Sequence, residues 1–434
     1  MMKRVIGLIA LSLFVVEVTT AQTQISAQES DPKVMGWMRG FPPEDEHKLS
    51  MHDGTFFQFP GLRYSVCHMR QFMPTLEVKC AGNHRYSWKQ EIDPNVGKVS
   101  FVPWGEKKAM TWDESMQKNY VDGILVIHKG VIVYERYFGE LSPDGQHAVM
   151  SVSKTFAGTL AAMLIAEGVI DDTKYVREYV PELAQSAFGD ATVRQVLDMT
   201  TALNYSENYA DPNADVWIFG LANNPFPKPQ GYNGPRNSYE YLMTVQKSGE
   251  HGKAFGYKTV NTDVIGWIIS RATGRKFTEI LSEKLWAPLG TNIDGYYQVD
   301  SYGIPFAGGG FNANLRDLGM FGEMMRCGGY FNGKQILPNI VVQDTQRGGD
   351  PRLFEKGGYP NLKGWSYRNM WWVTHNEHGA YMARGVHGQA IYVDPAAEMV
   401  IVRLSSHHTA SNGANDPYSI PAYHAVAKYL LSKK

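Results

Sequence analysis

Apolar residues gather in strand-like runs towards both ends of the chain. Residues 123–138 (GILVIHKGVIVYERYF) form two such runs around His128-Lys129-Gly130, a pattern typical of a β-hairpin. Residues 388–406 (GQAIYVDPAAEMVIVRLSS) show the same pattern around a central turn. We expect the two hairpins to join in one antiparallel sheet, although much of the chain separates them.

Helical periodicity dominates the stretch between these hairpins. After Lys154, the residues Phe156, Leu160 and Met163 recur at helical spacing, and Gly168 ends the run. Further helices are predicted in residues 190–203, 261–274, 277–290, 314–329 and 420–433. Together these elements predict an α+β fold, in which an antiparallel sheet is flanked by helices and interrupted by a mainly helical insert.

The N-terminal part of the chain has a different character. Residues 1–21 combine basic residues, a short apolar core and a small-residue cleavage site after Ala21, which predicts an export signal. The alternative, a membrane anchor, is disfavoured because the apolar core is too short to span a bilayer. Residues 22–105 are rich in proline, glycine and polar residues, so we expect an extended segment packed on a core domain of residues 106–434. The mature chain is therefore expected to be periplasmic or secreted, with no stable membrane insertion.

Charge and cysteine content narrow the range of partners. The 42 basic and 43 acidic residues give a net charge of −1, which argues against nucleic acid or an anionic membrane as a partner. The spacing of Cys67, Cys80 and Cys327 fits no zinc pattern. Cys67 and Cys80 could form a disulfide, or all three cysteines could be buried thiols. The sequence leaves both alternatives open, and it leaves the oligomeric state open as well.

The spacing Ser-x-x-Lys occurs three times, and only its context distinguishes the copies. Ser30 to Lys33 lies in the irregular N-terminal segment, and Ser115 to Lys118 lies in a polar stretch. Ser151 to Lys154, in the stretch VMSVSKTFAG, follows the first hairpin and opens a strongly apolar helix. The third copy is therefore the candidate for chemistry.

Two interpretations of this third copy stay open on spacing alone. Residues three apart share a helix face, so a buried Lys154 could take the proton of a nucleophilic Ser151. Alternatively, Ser151 caps the helix and Lys154 extends its ammonium group to water. Other nucleophile and metal motifs are missing from the sequence: Gly-x-Ser-x-Gly, His-Glu-x-x-His and Cys-x-x-Cys. The adjacent His407 and His408 are interpreted as surface or interface residues.

Two further segments give the chain a family resemblance. With SVSKTF, the segments FGYKTVNTDVIGWII (255–269) and GVHGQAIYVDP (385–395) resemble, in order, the three motifs of the serine β-lactamase and penicillin-binding-protein superfamily. The resemblance is to its class C-like branch and runs from about residue 122 to the C-terminus. The N-terminal stretches WMRGFPP (37–43) and HMRQFMPT (68–75) resemble those of 6-aminohexanoate-dimer hydrolases.

The resemblance implies a β-lactamase/transpeptidase-like fold and a role for each motif residue. Ser151 would attack a carbonyl and become acylated, and Lys154 would accept its proton. Tyr257 would pass a proton to the leaving group, either as a phenolate or through a hydrogen bond. His387 would polarise Tyr257 or contact a substrate carboxylate.

The remaining site residues are also implied by the resemblance. The oxyanion hole would combine the backbone N–H of Ser151 with one from residues 387–390, with Ala390 expected as the donor. Tyr209 would be either the loop tyrosine that contacts a substrate amide or an ordinary loop residue. The motifs require neither a metal nor an organic cofactor, and the only partner they imply is a small-molecule substrate.

Departures from the family motifs indicate which substrates to expect. The second motif reads Tyr257-Lys258-Thr259 where β-lactamases have Tyr-x-Asn, and the third reads His-Gly-Gln where they have Lys-Thr-Gly. We therefore expect a secreted serine hydrolase of small linear amides, peptides or esters rather than an efficient β-lactamase. The alternatives are a cell-wall D,D-peptidase, a promiscuous esterase or β-lactamase and, in another class, a non-catalytic binder of cell-wall fragments.

Overall fold

The structure is a computed structural model that describes residues 25–80, 82 and 84–433. The predicted export signal, residues 1–21, lies outside the described residues. No helix in the described ranges is long and apolar enough to cross a membrane.

Eighteen strands are present in the described part of the chain. In chain order they are β1 (Thr75–Val78), β2 (Lys89–Gln90), β3 (Ser100–Phe101), β4 (Met110–Thr111), β5 (Val121–His128), β6 (Val131–Tyr137), β7 (His147–Ala148), β8 (Leu203–Asn204), β9 (Gln246–Lys247), β10 (Gly295–Gln298), β11 (Phe311–Ala313), β12 (Tyr330–Phe331), β13 (Lys334–Gln335), β14 (Ser366–Arg368), β15 (Trp371–Val373), β16 (Tyr381–Gly385), β17 (Gln389–Asp394) and β18 (Met399–Ser405).

Fourteen α-helices accompany them in the same ranges. They are α1 (Pro32–Met35), α2 (Leu62–Ser65), α3 (Trp112–Lys118), α4 (Ser153–Ala166), α5 (Val176–Tyr179), α6 (Val193–Leu197), α7 (Asp215–Asn223), α8 (Ser238–Thr244), α9 (Val260–Thr273), α10 (Phe277–Leu281), α11 (Leu315–Arg326), α12 (Asn339–Arg347), α13 (Pro351–Phe354) and α14 (Asp416–Leu431). Short 3₁₀ turns and one π-helical turn, Ser282–Trp286, connect several of them.

The main sheet has eight strands in the order β14-β15-β16-β17-β18-β5-β6-β2. Its pairs are antiparallel except for β2 with β6. The pairing of β18 with β5 joins the two hairpins recognised in the sequence. The predicted α+β fold, with one antiparallel sheet built from both ends of the chain, is therefore confirmed.

Helices cover both faces of this sheet. On one face α11 packs against β5, β17 and β18. A Cβ placed on Gly322 of α11 would lie 2.6 Å from Val400 and 3.0 Å from Ile391, so glycine permits this close approach of helix and sheet. On the other face α14 contributes Tyr423, whose ring packs 5.1 Å from that of Tyr392.

The helix α4 forms the centre of the molecule. It contacts α9, α10 and α12, and its residues are buried from Ser153 to Leu164. The ring of Phe156 stacks on Phe321 of α11 at 4.1 Å. A helix with apolar neighbours on every side has a fixed position, so the chain segment that leads into it is fixed as well.

The N-terminal segment supports this same region. Leu62, Met69 and Phe72 form a second apolar cluster that includes Ala148 and Met150. Strand β1 also pairs with β10 in a four-stranded sheet that continues through β11 to β7. The cysteines Cys67, Cys80 and Cys327 are free, partly buried thiols. Of the two alternatives for Cys67 and Cys80, free thiols are therefore the one observed, and the structure contains no disulfide between them.

Candidate active site

Ser151 lies in a tight turn immediately before the central helix. The 3₁₀ turn Met150–Val152 leads into α4, and Met150 adopts a left-handed conformation with φ 47°. The hydroxyl of Ser153 stabilises the turn, because it donates to the Met150 carbonyl at 2.6 Å and accepts from the Phe311 N–H at 3.0 Å. The two serines thus differ in role: Ser153 fixes the turn, and Ser151 lines a cleft.

Lys154 is buried beside Ser151, with only 1% of its surface exposed. Its Nζ donates to Ser151 Oγ at 2.9 Å and to the Gly308 carbonyl at 2.5 Å. The alternative in which the lysine extends to water is therefore not the observed arrangement. Burial lowers the pKa of Lys154 to about 8, although the charges of Glu207 and Asp263 act in the opposite direction. Part of the lysine population can thus be a neutral amine near neutral pH.

The other two Ser-x-x-Lys copies have no such pair. The Ser30 hydroxyl donates to the Ser26 carbonyl and accepts from Arg63. The Ser115 hydroxyl donates to the Trp112 carbonyl, and Lys118 is exposed. The copy that the surrounding sequence indicated is therefore the one in which the serine and lysine side chains are in contact.

Tyr257 lies on the other side of Lys154, just before α9. The Lys154 Nζ is 5.1 Å from the centre of the Tyr257 ring, and the phenol also interacts with Ser151. Burial, followed by the charge of Glu207, raises the pKa of Tyr257 well above its usual value. Its hydroxyl is consequently protonated at neutral pH and can act through hydrogen bonds. Ser151, Lys154 and Tyr257 are thus brought together.

Tyr209 lines the same cleft through a loop that the sequence left undefined. Its hydroxyl donates to Glu207 at 2.7 Å, and Glu207 also accepts from the N–H and the hydroxyl of Thr259, both at 2.6 Å. These bonds tie the loop to the start of α9, two residues after Tyr257. Sequence reasoning missed Glu207, because one acidic residue in an irregular segment gives no local signal.

The strand side of the cleft differs from the expectation for the third motif. The segment beside Ser151 is Gly385 and Val386, since a Cβ on Gly385 would lie 3.0 Å from the Ser151 nitrogen. Ala390, the expected oxyanion donor, is buried inside the main sheet between its partners Arg384 and Arg403. It is not among the cleft-lining residues that the structure describes.

His387 also points away from the cleft. It is 8% exposed, and its Nδ1 is 2.7 Å from the His407 carbonyl. Its φ of 61° marks a left-handed turn between β16 and β17, and its ring packs edge-on against Phe57 at 6.0 Å. Burial lowers the pKa of His387 to about 4, so the ring is neutral at physiological pH. The structure does not bring His387 to Tyr257 as expected.

The cleft above Ser151 has a volume of about 320 Å³. Its walls are aromatic and polar, and at one edge the Arg384 guanidinium binds both carboxylate oxygens of Asp416 at 2.6 and 2.7 Å. The lining residues are Ser151, Glu207, Tyr209, Tyr257, Gly358, Tyr359, Pro360, Asn361, Leu362, Trp372, Arg384, Gly385, Val386, Ser411, Asn412, Gly413 and Asp416. Such a volume suits a small molecule or one end of a linear chain.

Groups that could hold a metal ion lie elsewhere in the described structure. One consists of Glu377, His378 and His424, and the other of Glu44, Glu46 and His47. Neither group contributes to the lining of the cleft. The candidate chemistry at Ser151 therefore rests on a nucleophile, a buried amine and a phenol.

Comparison with known proteins shows the family to which the chain is related. A family model described as Beta-lactamase matches residues 114–424. A 6-aminohexanoate-dimer hydrolase of Paenarthrobacter ureafaciens is 37% identical over 295 residues, which cover 68% of this chain and 74% of that protein.

Solved structures show the same relationship. A Bacillus anthracis protein provisionally named a 6-aminohexanoate-dimer hydrolase is 33% identical, with a TM-score of 0.79 over 87% of this chain and 96% of that one. A family VIII carboxylesterase shares the fold at 16% identity, with a TM-score of 0.55 over 77% of this chain and 98% of that one. The chain therefore belongs to the β-lactamase family and is a serine hydrolase.

Proposed function

We propose that the protein hydrolyses small linear amides, peptides or esters through an acyl intermediate on Ser151. The observation that carries this proposal is the 2.9 Å hydrogen bond between Ser151 Oγ and the buried Lys154 amine. Burial makes the neutral amine accessible near pH 8, and a neutral amine in this position can accept the serine proton.

Acylation would use the two sides of the cleft together. As Ser151 Oγ attacks the substrate carbonyl carbon, its proton passes to Lys154 Nζ, and the carbonyl oxygen becomes an oxyanion. The backbone N–H groups of Ser151 and Val386 are the proposed donors to that oxyanion, since Gly385 approaches the Ser151 nitrogen so closely. Ala390 and His387 have no part in this assignment.

Release of the first product requires a proton on the leaving group. The protonated Tyr257 hydroxyl is the proposed source, and Lys154 can return the proton to Tyr257 as the carbon–nitrogen or carbon–oxygen bond breaks. A water molecule then attacks the acyl carbon and gives one proton to the same pair. The bond between the acyl carbon and Ser151 Oγ breaks, and the pair returns that proton to Oγ, which regenerates Ser151.

Substrate size and type follow from the cleft and from the relatives. The volume of about 320 Å³ and the aromatic walls Tyr359 and Trp372 favour a slender, partly apolar chain. The named activity of the Paenarthrobacter relative supports a linear amide such as the 6-aminohexanoate dimer. The 37% identity supports the reaction class, and we propose the dimer as a candidate substrate.

A substrate panel separates this function from its alternatives. The purified protein is assayed with 6-aminohexanoate dimer, short p-nitrophenyl esters, D-alanyl peptides and nitrocefin, beside the Ser151→Ala variant. We expect turnover of the amide or the esters by wild type alone, with little nitrocefin hydrolysis. Preferred cleavage of D-alanyl peptides would identify a D,D-peptidase instead. Muropeptide binding without any turnover would identify a non-catalytic binder.

We also propose that the protein is exported, on the basis of the leader-like composition of residues 1–21. N-terminal sequencing of the mature protein from its native host tests this. We expect the mature chain to begin at Gln22 and to occur outside the cytoplasm. A full-length chain that begins at Met1 in the cytoplasmic fraction would contradict it.

A further inference from the structure

A buried carboxylate acts on Lys154 without lining the cleft. Asp263 belongs to the first turn of α9 and is 3% exposed. Its Oδ1 accepts a hydrogen bond from the Gly308 N–H at 3.3 Å. Its Oδ2 is buried without a hydrogen-bond partner of normal geometry among the described residues, and the backbone N–H groups of Ala307 and of Asp263 itself lie close enough to lower the pKa of this carboxyl group. A carboxylate oxygen left in this state costs free energy, so its retention calls for a reason beyond packing.

Gly308 connects Asp263 to the lysine through both of its backbone polar groups. Its N–H donates to Asp263, and its carbonyl accepts from Lys154 Nζ at 2.5 Å. A Cβ on Gly308 would lie 3.0 Å from Asp263 Oδ2 and 2.5 Å from the methyl group of Thr259. Glycine at this position therefore lets the backbone pass between the lysine and the carboxylate.

Two carboxylates act on Lys154 through their charges: Glu207 lines the cleft, and Asp263 does not. Glu207 approaches from the cleft, where Tyr209 and Thr259 already bind it. Asp263 approaches from the interior, where Lys154 is the cation whose charge lowers its pKa. The other titratable groups that face Asp263 are neutral phenols, those of Tyr205, Tyr239 and Tyr297.

We propose that Asp263 is the positioning residue of Lys154: its buried carboxylate, linked to the lysine through Gly308, holds Nζ against Ser151 and sets the pH above which the amine can accept the serine proton. This inference rests on the proposed function. It adds a residue outside the cleft that controls when the site is active.

The sign of the effect follows from the charges. A carboxylate beside Lys154 favours the protonated ammonium form, and burial opposes it by lowering the pKa of Lys154. Burial raises the pKa of Asp263, whereas the positive charge of Lys154 lowers it, so each group favours the charged form of the other. Removing the charge should make Lys154 lose its proton at lower pH.

The test measures the pH dependence of kcat/KM for a p-nitrophenyl ester with the Asp263→Asn variant. Asparagine has the same shape and can still accept from the Gly308 N–H through its Oδ1. We expect the acid limb of the profile, where kcat/KM rises with pH, to move to lower pH by about one unit. This shift corresponds to about 1.4 kcal/mol of differential interaction. Asp263→Glu, which keeps the charge, should leave the limb closer to its wild-type position.

Asp317→Asn is the matched control. Asp317 is also fully buried, and it accepts the N–H groups of Asn292 and Ile293 at 2.9 and 3.0 Å, in a region without contact to Lys154. We expect this variant to be less stable and to keep the wild-type pH profile. An equal shift in both variants would mean that a general loss of stability changes the pH profile, which would overturn the proposal.

Failure of this inference can be distinguished from failure of the proposed function. The labelling rate of Ser151 with a fluorophosphonate is measured over the same pH range, and it requires no natural substrate. Labelling with an unshifted limb in Asp263→Asn overturns the positioning role and leaves the nucleophile intact. Absence of labelling in wild type overturns the proposed function itself. If Asp263→Asn does not fold, Asp263→Ser, which removes the charge with a smaller polar side chain, must shift the acid limb in the same direction.

Discussion

The two sides of the cleft differ in whether side chains or backbone groups approach Ser151. On the helical side, Ser151, Lys154 and Tyr257 come from the turn before α4 and the segment before α9, and their side chains meet directly. On the strand side, the backbone of Gly385 and Val386 approaches Ser151, while the polar side chain of His387 turns away. One side therefore contributes side-chain chemistry, and the other contributes backbone.

This difference has a physical basis in the two kinds of element. Ser151 and Lys154 are three residues apart at one helix start, so their contact is local. The strand side depends on where β16 ends and β17 begins, and the left-handed His387 sits at that junction. A shift of one residue in that turn replaces one backbone N–H with another and reverses the direction of each side chain.

Loss of the nucleophile should have the largest effect. Ser151→Ala removes the atom that forms the acyl bond, and we expect kcat/KM for the best ester or amide to fall on the order of 10⁴-fold or more. Steady-state kinetics check this, with thermal unfolding to confirm that the variant is folded. Ser115→Ala is the comparison, because Ser115 is also a buried serine of a Ser-x-x-Lys copy, but its hydroxyl donates to the Trp112 carbonyl and does not line the cleft. If both variants lose the same activity, the assignment of Ser151 is contradicted.

Loss of the buried amine should rank next. Lys154→Met keeps the length and apolar stem but has no group to accept a proton, so we expect a fall of about 10²- to 10⁴-fold in kcat. The measurement is pre-steady-state acylation by a chromogenic ester. Lys258→Met serves as control, since Lys258 donates to the Leu203 carbonyl and not to Ser151. Unchanged acylation in Lys154→Met would remove the lysine from the mechanism.

Loss of the strand donor should be somewhat smaller. Val386→Pro deletes one N–H beside Ser151, and loss of an oxyanion donor costs about 10²- to 10³-fold in kcat. KM should change less, because the oxyanion forms only in the transition state. The comparison variant is Val386→Ala, which keeps the N–H and should stay near wild-type activity. Full activity in Val386→Pro would assign the oxyanion donor elsewhere.

The pH profile gives a further measure of the helical side. Burial lowers the pKa of Lys154 to about 8, and the active form is the neutral amine. Activity should therefore rise as pH increases to about 8 and then reach a plateau, until Tyr257 or the fold titrates. A profile that is already flat at pH 6 would show that the base is a different group.

The smallest catalytic effect should come from His387. His387→Asn tolerates the left-handed backbone and removes the hydrogen bond to the His407 carbonyl. We expect kcat/KM to change by less than about threefold, while stability falls by about 1 kcal/mol. Chemical denaturation and ester kinetics test the two parts. A loss of kcat as large as that of Val386→Pro would mean that the His387 side chain takes part in catalysis. The strand side would then contribute side-chain chemistry as well as backbone.

The sequence predicted the local features of this molecule better than its long-range ones. Apolar periodicity after Lys154 identified α4, and the two hairpin patterns identified the strands that join in the main sheet. Glu207 and Asp263 gave no such signal, because their position near Lys154 depends on a loop and on Gly308, far along the chain. The sequence also did not indicate that Gly308 has no room for a Cβ.

The third motif is a second case in which the sequence did not predict a long-range contact. The strand itself was recognised, yet its contact with Ser151 occurs at Gly385 and Val386 rather than at Ala390. All residues of β16 and β17 are buried, so the apolar pattern along these strands does not identify their register. The choice is made by the left-handed turn at His387 and its bonds to Ala410 and His407, which are tertiary contacts.

The central claim is that Ser151 carries the acyl group. The most direct measurement is the mass of the protein after rapid mixing with a p-nitrophenyl ester and acid quench, followed by peptide mapping. We predict the added mass of one acyl group on the peptide that contains Ser151 in wild type, and none in Ser151→Ala. An acyl group on another residue, or undiminished turnover by Ser151→Ala, would contradict the account.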